Sequence, residues 1–64
     1  MLRLLIKKRY RGKNGHTYII DNIWWLKGEV SHIDLSDDKG KKYNMIELKW
    51  LDTKLASGEL EPIK

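Results

Sequence analysis

His16 and His32 are the only histidines in this sequence, and it holds no cysteine to pair with either. Nucleophilic or acid-base catalysis needs several groups in mutual geometry. Here one histidine falls in a turn-like stretch and the other in a strand-like one, so no enzyme is expected. The run Asp34-Leu35-Ser36-Asp37-Asp38-Lys39-Gly40 resembles a calcium loop but fails on spacing. Its glycine comes one place late, and Met45 stands where the bidentate glutamate belongs. Aspartates that form a turn explain the run better. Gly12-Lys13-Asn14-Gly15 lacks the glycine spacing and the Lys-Ser/Thr ending of a phosphate loop. Neither a metal nor a cofactor is expected.

The chemistry that remains is that of charge and aromatic surface. Residues 1 to 16 carry Arg3, Lys7, Lys8, Arg9, Arg11 and Lys13 without an acid, whereas residues 29 to 38 carry Glu29, Asp34, Asp37 and Asp38 without a base. The formal net charge of +4 is modest, but its distribution is lopsided. A positive patch concentrates polyanions such as nucleic acid, and it also suits an acidic protein surface. The bland alternative is a solvated face that confers solubility. Three tryptophans, Trp24, Trp25 and Trp50, are many for so short a chain. Neighbouring strand residues point to opposite faces, so Trp24 and Trp25 cannot both fill one core, and one of them is expected at the surface. An exposed indole beside Lys and Arg can stack on bases, wedge into a groove or anchor a protein partner. Trp50, Met45 and Leu48 read as core under a helix.

These groups need elements to hold them. Leu2 to Arg11 begins with strand alternation, and Thr17 to Ile20 and Ile23 to Trp25 are β-favouring, with a pause at Asp21-Asn22. Asn14-Gly15 between the two runs signals a tight hairpin. With these as a two-residue loop, Lys13 faces His16 and two sheet faces follow. The core face holds Leu4, Ile6, Tyr10, Ile19, Ile23 and Trp25, with Lys8 opposite Asp21 as an ion pair. The other holds Arg3, Leu5, Lys7, Arg9, Arg11, Tyr18, Ile20, Asn22 and Trp24. A glycine bulge at the turn would slip this register by one and exchange partners on one strand. A second hairpin pairs Glu29 to Leu35 with Lys41 to Ile46 across Ser36-Asp37-Asp38-Lys39-Gly40. Residues 46–50 alternate like a strand, yet Met45, Leu48, Leu51 and Leu55 share a helical face. The helix is chosen, capped by Asn44 with Glu47 three residues on and stopped at Ser57-Gly58. Glu59 to Lys64 is then an extended tail, barred by Pro62 from a central strand.

Sixty-four residues make a single domain, 1–64, since a second core would need roughly 50 residues of its own. Without cysteine, apolar packing alone must brace it. The start MLRLLIKKRY reverses the charge order of a signal peptide and no stretch reaches a membrane span, so a soluble cytoplasmic protein without a membrane partner is expected.

A tight basic hairpin, Ile23-Trp24, Val30-Ser31, the turn Asp37-Asp38-Lys39-Gly40-Lys41 and a C-terminal helix together resemble the small SH3-like barrels of archaeal chromatin proteins. The third sheet strand of that family is glycine-rich, unlike Lys42 to Ile46 here. The resemblance implies a mainly β fold, a small SH3-like barrel or bent antiparallel sheet of four to five strands with one short C-terminal helix. It also implies binding to the DNA minor groove with little sequence preference. The expected phosphate contacts are Lys7, Arg9, Arg11 and Lys13, with Tyr18 and Trp24 as stacking or wedging surface and Lys27, Lys41 and Lys42 extending the track. Double-stranded DNA is the expected partner. The rival reading is a protein-binding module or inhibitor of the mobile-element type docking on an acidic partner, and a weak homodimer is a third alternative to a monomer.

Overall fold

The computed structural model describes residues 6–63. Five strands and one helix follow in the order β1 (Arg9–Gly12), β2 (Thr17–Leu26), β3 (Glu29–Asp37), β4 (Lys42–Glu47), α1 (Leu48–Ser57) and β5 (Leu60–Pro62). The strands form one antiparallel sheet in the order β4-β3-β2-β1-β5. The fold is therefore mainly β with one short helix near its C-terminal end, as expected. Leu2, Leu4, Arg3 and Leu5, placed on the two faces from sequence, lie outside the described residues.

The first hairpin has a three-residue loop rather than a two-residue one. Arg9 pairs with Ile19, Tyr10 with Tyr18 and Arg11 with Thr17, and the Gly12 amide donates to the His16 carbonyl at 2.8 Å. Lys13 and Asn14 form the turn, the Gly15 amide donates back to the Gly12 carbonyl, and Gly15 itself takes φ 86°. This is the glycine bulge that suits a three-residue loop. The slip of one residue moves Tyr18 and Ile20 to the inner side with Tyr10 and turns Ile19 outward. Lys8 now opposes Ile20, whose amide donates to the Lys8 carbonyl, so the Lys8–Asp21 ion pair does not form. Lys7 takes φ 71°, which breaks the alternation before β1 and leaves Ile6 exposed rather than in the core.

Bulges bend the sheet. Between the pairs Ile20–Leu35 and Asn22–Asp34, Asp21 is an extra residue in β2. Between Ile33–Ile46 and Leu35–Tyr43, β4 carries Asn44 and Met45 against Asp34 alone. Both irregularities flank Asp34, whose carboxylate accepts the Met45 amide at 2.8 Å, so the sheet kinks along one line across three strands. Each bulge turns an i, i+3 pair inward: Ile20 with Ile23, and Tyr43 with Ile46. A third bulge at Ser31 does the same for Val30 and Ile33.

The concave side so formed carries the core of Tyr10, Ile20, Ile33, Leu35, Leu51 and Leu60. Leu51 comes from α1, and Leu48 and Leu55, one turn to either side, pack beside it. The helix starts at Leu48, not at Met45. Its N-cap is Glu47 without a side-chain cap bond, because Ile46 and Glu47 are held in β4 opposite Ile33 and His32. Met45 consequently sits exposed on the bulge, and Trp50 lies at the surface, 39% exposed, instead of under the helix. Gly58 ends the helix at φ 80°, as its sequence position predicts. Pro62 is accommodated because β5 is an edge strand.

Candidate functional site

No described element packs on the face opposite the core. Directly paired residues share a face, so the pairs Lys42–Ser36, Ser36–Ile19 and Ile19–Arg9 set four side chains in a row across β4, β3, β2 and β1. Three strand spacings, about 14 Å, separate its two cations. Arg11 and Thr17 form the next pair along β1 and β2, and Glu47, His32 and Trp24 form a row farther along the sheet. Among the described residues, Arg9, Arg11 and Lys42 make no salt bridge. Ser31 Oγ and His32 Nδ1 share a hydrogen bond of 2.7 Å beside Trp24.

Glu61 is the β5 partner of Arg11 and so shares this face, as does Glu47, whereas the aspartates of the calcium-like run are engaged with the backbone. The Asp37 carboxylate accepts the amides of Lys39 and Lys41, each at 2.9 Å, and the Tyr43 hydroxyl at 3.2 Å. Burial alone would raise its pKa, but these hydrogen bonds outweigh that and hold the carboxyl below its usual range. Asp38 bridges the two turns, meeting His16 Nδ1 at 3.1 Å and accepting the Thr17 amide at 3.3 Å. With Asp34 on Met45, all three carboxylates of the calcium-like run shape backbone. Among the described residues there is no group of three or more metal-binding side chains.

The β2–β3 hairpin extends this face into a finger. Residues 24–29 are all exposed, and the two-residue turn Lys27-Gly28 takes positive φ at both positions, 52° and 81°. Trp24 is 44% exposed on the outer side. Trp25 pairs with Val30 on the inner side, as the alternation required, yet it is 64% exposed because no described residue covers the finger there. Leu26, 62% exposed, completes the tip. Both indoles are thus at the surface, where only one was expected.

Of the nine residues singled out from sequence, Arg9, Arg11, Lys42 and Trp24 share the outer face. Lys27 sits at the finger's turn and Lys7 in the turn before β1. Three others are elsewhere. Lys41 lies over the Tyr43 ring, 5.3 Å from its centroid, on the inner side. Tyr18 also faces inward, its ring 6.1 Å from that of Tyr43, and Lys13 lines a cleft beside it. Sequence reasoning missed Ile19, His32, Trp25 and Leu26. Ile19 is turned outward by the loop slip, for which Gly15 was the available signal, and the pause at Asp21-Asn22 was the signal for the bulge that precedes Trp25 and Leu26.

No family model, curated protein or solved structure matches this chain.

Proposed function

We propose that the outer sheet face binds nucleic acid with little sequence preference, as a binding module without chemistry of its own. The observation that carries this reading is the set of cations, Arg9, Arg11 and Lys42, which make no salt bridge among the described residues, although Glu61 stands opposite Arg11, and which are set around Ile19 on a face that also bears Trp24. Guanidinium and ammonium groups contact phosphates, and an exposed indole adds stacking or wedging surface. Lys7 and Lys27 flank the face and extend it. The likeness of Ile23-Trp24 and Val30-Ser31 to the archaeal chromatin proteins supports duplex DNA as the ligand.

Titration of duplex and single-stranded DNA at several salt concentrations tests this. Three to five phosphate contacts give a log-log salt slope of about −3 to −4.5 on duplex. Arg9→Gln and Arg11→Gln should each lower that slope by about 1. Absence of binding at low salt would overturn the proposal.

The fingertip favours a second reading. Among the described residues, Trp25 and Leu26 are the two most exposed large apolar side chains, and a tryptophan at a projecting turn is a good anchor for a protein surface. An acidic partner protein would then meet the same cations. Retention of one partner after nuclease treatment, lost in Trp25→Ala but kept in Arg9→Gln, would favour it. No helix among the described residues is long and apolar enough to cross a membrane. We take the cytoplasm as the site of action.

A further inference from the structure

A cleft of about 290 Å³ opens on the core side of the sheet, lined by the β1–β2 turn, the first turns of α1 and the residues entering β5. Leu60 and Gly12 are its buried floor. Tyr18 and Trp50 supply aromatic wall, and Lys13, Lys54 and Glu59 supply its charges. From its features we propose that this cleft binds a single nucleoside phosphate, a base on a sugar that carries the phosphate.

The turn is locked in place to form one wall. The Lys13 amide donates to the Glu59 carbonyl at 3.0 Å, and Asn14 Oδ1 accepts the His16 amide at 2.9 Å. Asn14 Nδ2 donates to the Tyr18 hydroxyl at 3.0 Å. That hydroxyl accepts but gives its own proton to no described side chain, leaving a donor for a ligand oxygen. On the far wall, Lys54 Nζ lies 5.7 Å from the centroid of the Trp50 ring and pairs with the Glu59 carboxylate. Two ammonium groups against one carboxylate leave the cleft positive, and lysine binds phosphate as a point charge.

Each feature narrows the ligand. A purely apolar molecule would desolvate the lysines and the tyrosine hydroxyl without pairing them. A bare anion would leave the indole unused. A volume near the lower end of that of small-molecule sites takes a single nucleotide, not a run of acidic peptide. The cleft lies on the side of the sheet opposite Arg9, Arg11 and Lys42, so its occupation is independent of the outer-face proposal.

The test is a ¹H–¹⁵N NMR titration of the whole chain with thymidine 5′-monophosphate, using thymidine and inorganic phosphate as controls. The mononucleotide should shift the Lys13, Asn14 and Tyr18 amides and the Trp50 indole saturably, binding at least about tenfold tighter than either control. Trp50→Leu and Lys13→Gln, both at exposed positions, should each weaken it by about threefold or more while keeping a dispersed spectrum. A free nucleotide and the end of a strand share this chemistry. A 5′-phosphorylated tetrathymidylate that shifts the same residues as tightly assigns the strand end; weaker binding by the tetramer assigns the free nucleotide. No saturation, equal binding of phosphate alone, or shifts confined to Arg9, Ile19 and Trp24 would overturn the proposal.

Discussion

Gly12 shows how tightly single residues are constrained in so small a protein. A Cβ added there would meet Asn14 Oδ1 at 2.7 Å and the Tyr18 ring at 3.2 Å. Asn14 cannot simply swing away, because the same oxygen accepts the His16 amide. Gly12→Ala should therefore cost about 1 to 3 kcal/mol, as overpacking does, read as a lower urea midpoint with an unchanged slope. Asp37 predicts a pH dependence. Its folded-state pKa lies below the unfolded value of about 4, so its contribution is complete above that value and is lost as pH falls through the folded one. Glu59 behaves alike, held low by its hydrogen bond and charge pairing with Lys54. Thermal melts from pH 6 to pH 2 should show stability falling below about pH 4, and Asp37→Asn should make that fall shallower. Legibility at this scale was uneven. Arg9, Arg11 and Trp24 were readable because strand parity fixed their side, whereas Tyr18 was misplaced by a single residue of loop length.

Among the elements, the β1–β2 and β3–β4 hairpins were visible in sequence, whereas the β2–β3 hairpin at Lys27-Gly28 was not singled out and the register of the first was not legible. Asn-Gly suits a two-residue loop with both residues at positive φ, and it suits equally a turn followed by a left-handed glycine. The choice falls to Tyr10 and Ile20, which are both buried only in the second register, and that is a tertiary preference no local pattern contains. The helix boundary has the same origin: Asn44 and Glu47 could cap locally, but pairing of Ile46 with Ile33 keeps the strand going. Lys27 exposes a cost of the β2–β3 turn, since a non-glycine residue at φ 52° is strained. Lys27→Asn, which tolerates that region better, should raise stability by about 0.5 to 1 kcal/mol, seen as a higher melting temperature. In α1, Leu51 is completely buried. Leu51→Ala should cost about 2 to 5 kcal/mol, a large share of the stability of a chain this size, and circular dichroism should show much of the sheet lost.

At the scale of the whole molecule, the charge asymmetry noticed in the sequence acquires a division of labour. The three aspartates of residues 29–38 accept amides at the bulge and the turns, and Arg9, Arg11 and Lys42 of β1 and β4 are left exposed. That partition could not be read from composition, because it depends on which carboxylates fold back onto the backbone. The strand order has a different consequence. β1 obtains its second partner only when β5, near the other end of the chain, arrives beside it with Gly12 against Leu60 and Tyr10 against Pro62. Contacts so distant in sequence are entropically slow to close, so the hairpins should assemble first and the β1–β5 seam last. Leu60→Ala would then leave the refolding rate nearly unchanged and accelerate unfolding, a split that stopped-flow chevrons can resolve. The seam works as a latch, governing how long the native state lasts more than how quickly it is reached.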